Sequence, residues 1–132
     1  MKFLVFKLKW GYMKKTVMLK KNYEFKYVFS KGKYYSGEIL EIYLLKNNTN
    51  VNKIGIAVSK KIGKSVVRNR IRRLIKENYR LIETELTHGN TLVFLFKKSI
   101  DPSKITFYDI KKDIEKIFKK SNILIVEKVW KN

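Results

Sequence analysis

An uninterrupted apolar run, Thr91 to Phe96, constrains the fold more than any other segment. After Thr91 it reads Leu-Val-Phe-Leu-Phe, with no polar residue on either side of an extended chain. Such a run is typical of a central strand that is covered on both faces. Segments with helical spacing precede and follow it, and these can supply the cover. The sequence therefore predicts a single α/β (α+β) sandwich with one sheet, in the order α-β-β-α-β-α.

A helix and two strands are predicted in the first half of the chain. Leu19 to Ser30 has helical spacing, and Gly32 and Gly37 bracket a turn or a short edge strand. Ile39 to Leu45 alternates between apolar and polar residues, as a half-buried strand does. Lys53 to Ser59 is predicted as the next strand.

This next strand has only small residues on one face. Ile54, Ile56 and Val58 are expected to face the core, whereas Gly55 and Ala57 lie between them. A face without large side chains allows another backbone or a ligand to come close.

A long amphipathic helix is predicted to follow. Ser65 is suited to the N-cap position, Gly89 is expected to stop the helix, and His88 would lie at its C-terminus. The expected buried stripe consists of Val67, Ile71, Leu74, Ile75, Asn78, Leu81 and Ile82.

A last helix is predicted after the turn at Asp101 and Pro102. Ser103 or Thr106 would cap it, and four apolar residues would face the core: Ile110, Ile114, Ile117 and Phe118. The tail, residues 122–132, is ambiguous, with Ile123 to Val126 suited to an extra strand.

Positive charge points to the kind of partner. The chain has 31 basic and 11 acidic residues and a formal net charge of +20. Because a folded domain with this excess repels itself, a polyanionic partner is expected, and nucleic acid fits better than a membrane surface or an acidic protein. With no cysteine and one histidine, the sequence has no residues spaced for a metal site or for acid–base catalysis. No segment is apolar enough to span a membrane, so we expect a cytoplasmic protein.

The arginines are confined to one segment. All five lie between Arg68 and Arg80, while the other basic residues are lysines. A guanidinium can bind a phosphate through two parallel hydrogen bonds or stack on a base, which an ammonium cannot do. Glu77 is the only acidic residue among nine basic ones between Lys60 and Arg80, so a merely solvated helix face explains the pattern poorly. We expect the helix start and this basic face to bind RNA phosphates.

The stretch from Ile54 to Glu77 reads IGIAVSKKIGKSVVRNRIRRLIKE and resembles the signature of the bacterial ribonuclease P protein component, including its Arg-Asn-Arg core. The segment from Leu19 to Gly32 is also similar to the first helix of that family. The resemblance runs from about Met13 to Ser121. It implies a mixed-sheet fold of the ribosomal-protein-S5-like type, with a left-handed crossover around the arginine-rich helix.

The resemblance also implies a division of labour. The RNA subunit would hold the catalytic centre and its Mg²⁺, while the protein, with no cofactor or catalytic residue of its own, assists cleavage of the 5′ leader from precursor tRNA. No membrane and no further protein partner are implied. The residues implied to face the catalytic RNA are Lys60, Lys61, Lys64, Arg68, Asn69, Arg70, Arg72, Arg73 and Lys76. Those implied to form a leader cleft are Phe25, Phe29, Lys31 and Tyr43, with Arg68 and Asn69 at its edge.

Three alternatives stay open at this point. Phe25 and Phe29 have the spacing of plain core residues, so Tyr43 is the stronger cleft residue from sequence alone. A non-catalytic ribosomal or RNA-chaperone protein of the same fold would need the basic helix but no aromatic cleft. Residues 1–12 precede the start expected from the resemblance, which suggests that translation begins at Met13.

Overall fold

A mixed sheet of five strands forms the frame of residues 16–125, the part of the chain that the computed structural model describes. The strand order is β1-β4-β5-β3-β2, in which β1, β4 and β5 are parallel and β3 and β2 are antiparallel to their neighbours. The strands are β1 Val17–Met18, β2 Lys33–Ser36, β3 Leu40–Lys46, β4 Lys53–Ala57 and β5 Asn90–Phe96. The predictions about residues 1–12 and a start at Met13 fall outside the described range.

Helices cover the two faces of this sheet unequally. α1 (Asn22–Lys31) packs on one face, where Leu19, Val28 and Val93 form a small cluster. α2 (Ser65–Ile82) and α3 (Phe107–Ser121) pack on the other face and enclose the main core around Phe94. β5 lies between β4 and β3 and is buried along almost all of its length, so the predicted central strand is confirmed. No helix within residues 16–125 is long and apolar enough to cross a membrane.

α2 connects two parallel neighbours, β4 and β5, after a 3₁₀ turn at Lys60–Ile62. Its N-cap is Lys64, so the prediction of Ser65 as N-cap is wrong by one residue. The predicted stripe is largely correct, but Leu81 is 56% exposed and Tyr79 is buried in its place. The Tyr79 hydroxyl lies 3.1 Å from Thr16 Oγ1, which satisfies the phenol in the interior. The hand of the crossover stays a prediction.

The end of α2 comes earlier than predicted. The helix stops at Ile82 and continues as a 3₁₀ turn, Glu83–Glu85, so neither Gly89 nor His88 marks its C-terminus. Leu86 then turns inward and is 1% exposed, which ends the helical path. Gly89 has φ +82° and stands directly before β5, where a Cβ would lie 2.5 Å from the Thr49 carbonyl oxygen. Gly89 therefore allows the left-handed turn that leads into β5, next to the Thr49 carbonyl.

α3 begins at a capping box. The Thr106 hydroxyl accepts from the Asp109 amide, and the Asp109 carboxylate accepts from the Thr106 amide, so Thr106 rather than Ser103 is the cap. The four predicted core residues are buried. After α3, Leu124 forms a single bridge with Leu86; the extra strand predicted from Ile123 is therefore no longer than this bridge within the described residues.

A buried carboxylate ties α3 to the hairpin of β2 and β3. Asp113 is 4% exposed and accepts hydrogen bonds from the backbone amides of Glu38 (2.8 Å), Ile39 (3.0 Å) and Leu40 (2.7 Å). A Cβ at Gly37 would lie 2.3 Å from Asp113 Oδ1, so only glycine leaves room for this contact. The hairpin of β2 and β3 is thereby fixed against α3.

Candidate nucleic-acid interface

An open groove of about 1060 Å³ lies between α1 and the sheet; we call it the leader groove. Its walls come from α1, β3, the ends of β4 and β5, and one residue of α2. Phe25 and Phe29 supply aromatic surface. Among the described residues, the charged ones that line it are Lys26, Arg72, Lys97, Lys98 and the acidic Glu41. Aromatic rings in a cationic groove can bind single-stranded nucleic acid with little sequence preference.

Phe25 lies against the small-residue face of β4. A Cβ at Gly55 would lie 2.6 Å from Phe25 Cε2 and 3.1 Å from Leu19 Cδ1. The close approach predicted for this face is therefore made by an aromatic side chain of α1, not by a ligand or another backbone. Phe25 packs beside the small cluster and also lines the leader groove, so it combines the core and groove roles.

Two tyrosines extend the aromatic surface beyond Phe29. The Tyr43 ring meets the Phe29 ring edge-on, with centroids 5.1 Å apart, and Tyr34 lies 5.2 Å from Tyr43. The Tyr34 hydroxyl donates to the Glu41 carboxylate, and this hydrogen bond raises the pKa of Tyr34. Tyr34 was not among the predicted residues; its signal is the β2–β3 register, which sets it directly opposite Tyr43.

The predicted cleft residues do not all meet at the groove. Phe25 and Phe29 line the groove. Tyr43 is not in the lining, but its ring supports Phe29 through an edge-on contact. Lys31 is the exposed last residue of α1 and is not part of the lining. Arg68 and Asn69 are also outside the lining, and the α2 residue that does enter it is Arg72.

Lysines surround the start of α2. Lys60 and Lys61 are exposed on the 3₁₀ turn, and Lys64 is the exposed N-cap. Ser59 Oγ accepts from the Lys61 amide at 3.2 Å, which fixes the turn. No side chain of the described residues caps the first turn of α2. Its amides and the positive end of the helix dipole are therefore available to a phosphate.

One face of α2 presents a basic surface. Arg73 and Arg80 are exposed and Lys76 is half-buried. Arg73 Nε lies 3.8 Å from Glu77 Oε1, an exposed pair that binds weakly and can open for a stronger anion. Arg72 donates to Asn69 Oδ1 at 2.9 Å, which orients the guanidinium along the helix.

Arg68 and Arg70 are anchored to backbone carbonyls instead. Arg68 Nε donates to the Gly63 carbonyl at 3.2 Å and so holds the basic loop against the helix. The terminal nitrogens of Arg70 donate to the carbonyls of Pro102 (3.1 Å) and Ile105 (2.6 Å). The guanidinium of Arg70 therefore fixes the turn before α3 instead of joining the basic face of α2. Its contact with RNA stays a prediction.

Sequence relatives extend over most of the chain. A family model described as Ribonuclease P matches residues 13–122. The ribonuclease P protein component of Clostridium botulinum (strain Loch Maree / Type A3) is 42% identical over 106 residues, covering 80% of this chain and 94% of the relative. That of Clostridioides difficile (strain 630) is 42% identical over 112 residues, covering 84% and 96%.

Solved structures have the same fold. The RNase P protein of Staphylococcus aureus superposes with a TM-score of 0.73 at 25% identity, covering 81% of this chain and 96% of that one. The RNase P protein of Thermotoga maritima gives a TM-score of 0.72 at 23% identity, covering 78% and 96%. The predicted fold and family are both confirmed: the chain belongs to the ribonuclease P protein component family.

Proposed function

We propose that this protein is the RNA-binding subunit of a ribonuclease P and assists its RNA partner in removing the 5′ leader from precursor tRNA. Its family membership supports the assignment. The observation that carries it is Arg72, which belongs to the basic face of α2 and also lines the leader groove. A structured RNA on α2 and a single strand in the groove would therefore meet at one side chain.

The leader groove suits an unpaired strand. The exposed Phe29 ring and the half-buried Phe25 ring offer stacking surfaces, while Arg72, Lys97 and Lys98 can pair with phosphates. Base stacking and charge pairing act on any sequence, as a subunit that serves many precursor tRNAs requires. A ribosomal or RNA-chaperone role is not favoured, because it gives no reason for this aromatic groove.

We assign the cleavage chemistry and its Mg²⁺ to the RNA subunit. Four acidic side chains have structural roles in the fold: Asp113 clasps the β2–β3 hairpin, Asp109 and Glu24 cap helices, and Glu41 accepts a hydrogen bond from Tyr34. The protein then contributes affinity and positioning. We further infer that the protein is located in the cytoplasm. Its relatives are bacterial proteins, and bacteria make precursor tRNA in the cytoplasm.

Reconstitution tests the proposal. The purified protein is combined with a bacterial ribonuclease P RNA, and 5′ cleavage of precursor tRNA is followed at Mg²⁺ concentrations too low for the RNA alone. We expect cleavage to depend on the protein, and Arg73→Ala to lower the salt dependence of RNA affinity by about one in log–log slope. Lys116→Ala, an exposed cation of α3, is the matched control. An equal rate of 5′ cleavage with and without the protein would reject the assignment.

A further inference from the structure

A second groove, of about 820 Å³, lies on the other side of α1. Leu19, Val28 and Leu45 form its apolar floor, and Tyr23 and Tyr27 stand on its rim. Lys26 belongs to the lining of this groove and of the leader groove alike. The two grooves are thus separated only by the width of a helix, about 10–12 Å, and share a cation at the crossing point.

The two rim tyrosines are far more exposed than the fold requires. Tyr23 is 66% and Tyr27 is 60% exposed. Four residues apart on α1, they lie one turn from each other on the same side of the helix. Their rings take no part in either core cluster. Two neighbouring aromatic rings left in solvent are typical of a binding surface rather than of packing.

Charge around these rings favours an anionic occupant. Lys46 and Lys53 line the groove with Lys26, and Lys46 Nζ is held in place by Asn90 Oδ1 at 2.6 Å. Lys21 Nζ lies 5.8 Å from the centre of the Tyr23 ring. The acid in the lining, Glu24, is engaged by the amides of Lys20 (3.2 Å) and Lys21 (3.0 Å) at the start of α1. Flat rings among lysines match the bases and phosphates of single-stranded RNA.

We propose that this second groove binds the upstream part of a long 5′ leader, which leaves the leader groove, crosses α1 at Lys26 and stacks its bases on Tyr23 and Tyr27. The inference rests on the proposed function, because it extends the path of the same strand. It assigns to the protein a preference for long leaders over short ones. Shared use of Lys26 by both grooves is the structural reason for one continuous strand rather than two ligands.

A leader-length series tests this inference. Precursor tRNAs with leaders lengthened nucleotide by nucleotide are bound to the reconstituted holoenzyme in Ca²⁺, and mature tRNA is the reference. For wild type, affinity should rise in two stages, first as the leader groove fills and again at greater length. Tyr23→Ala with Tyr27→Ala should abolish the second stage, a loss of about tenfold or more, and leave the first unchanged.

Two matched variants separate stacking from other effects. Tyr23→Phe with Tyr27→Phe keeps the rings and should retain the second stage. Tyr108→Ala removes a tyrosine of α3 that is 69% exposed, and should have no effect at any length. Alanine favours helix, so the double alanine variant should stay folded, which circular dichroism can verify.

The outcomes distinguish this inference from the proposed function. If wild type shows the first stage but no second, or if the alanine variant retains the second, the second groove does not bind leader. If wild type shows neither stage, the proposed function itself fails. If instead the wild-type protein forms dimers that the alanine variant does not, the groove is an interface between copies and the inference is overturned.

Discussion

Gly55→Ala perturbs the contact on which the leader groove is built. The new Cβ would lie 2.6 Å from Phe25 Cε2 and 2.8 Å from Phe25 Cζ. To recover an ordinary contact of 3.4 Å the ring must retreat by about 0.8 Å from the sheet. Leu19 Cδ1, 3.1 Å from the same point, limits sideways adjustment. Overpacking of this kind costs about 1–3 kcal/mol of unfolding free energy.

The same shift pushes Phe25 into the leader groove. We therefore expect Gly55→Ala to weaken binding of precursor tRNA by the holoenzyme while binding of mature tRNA is unchanged. Urea unfolding followed by circular dichroism gives the stability change, and titration with both tRNAs gives the affinities. The signature is selective loss of precursor affinity together with lower stability.

A double-mutant cycle identifies the cause. In a Phe25→Ala background the methyl group of Gly55→Ala finds room, so its stability cost should fall by at least about 0.5 kcal/mol relative to wild type. Equal costs in both backgrounds would refute the reasoning, because Gly55 would then not be serving the approach of Phe25.

Three further predictions follow from single side chains. Asp113→Asn replaces one oxygen of the clasp by an amide NH₂ that faces backbone N–H groups, and should cost about 2–4 kcal/mol in urea unfolding; a change near zero would contradict the clasp. Burial raises the pKa of Glu83 to about 7, against the opposing effect of Arg80. Its contribution to stability is therefore complete below pH 4.5 and is lost as the pH rises to about 7. Glu83→Gln should match wild type in acid and be more stable than wild type above neutral pH, whereas a pH-independent difference would oppose this. Tyr43→Ala removes the edge contact that supports Phe29 and should weaken precursor binding by about threefold to tenfold, with mature tRNA unaffected; equal loss for both would count against the groove.

The regular elements were predictable because their signals are local. β5 is a continuous apolar run, and α3 has a capping residue and an unbroken apolar stripe. The end of α2 was not predictable in the same way, because Leu86 leaves the helical path to enter the core. Tyr79 replaces Leu81 inside for a similar reason: Thr16, distant in sequence, supplies a partner for its hydroxyl.

In the candidate site, too, some features follow from the local sequence and others depend on residues distant in the chain. Its residue types, an aromatic helix beside a basic one, follow from the sequence. Which arginine enters the leader groove does not, because the direction of each guanidinium depends on tertiary partners. Arg70 is drawn to the carbonyls of Pro102 and Ile105, more than 30 residues later, and Arg72 is left to reach the groove. The Asp113 clasp is equally hidden, because its amide partners lie about 75 residues earlier.

Site-directed crosslinking tests the central claim most directly, and the chain is suited to it because it contains no cysteine. Ser99→Cys would place a photo-crosslinker in the leader groove, and Ser65→Cys one on the exposed first turn of α2. In the holoenzyme bound to precursor tRNA, we predict crosslinks from position 99 to the 5′ leader and from position 65 to the RNA subunit. Crosslinks from position 99 to the tRNA body alone, or the same RNA target for both positions, would contradict the account.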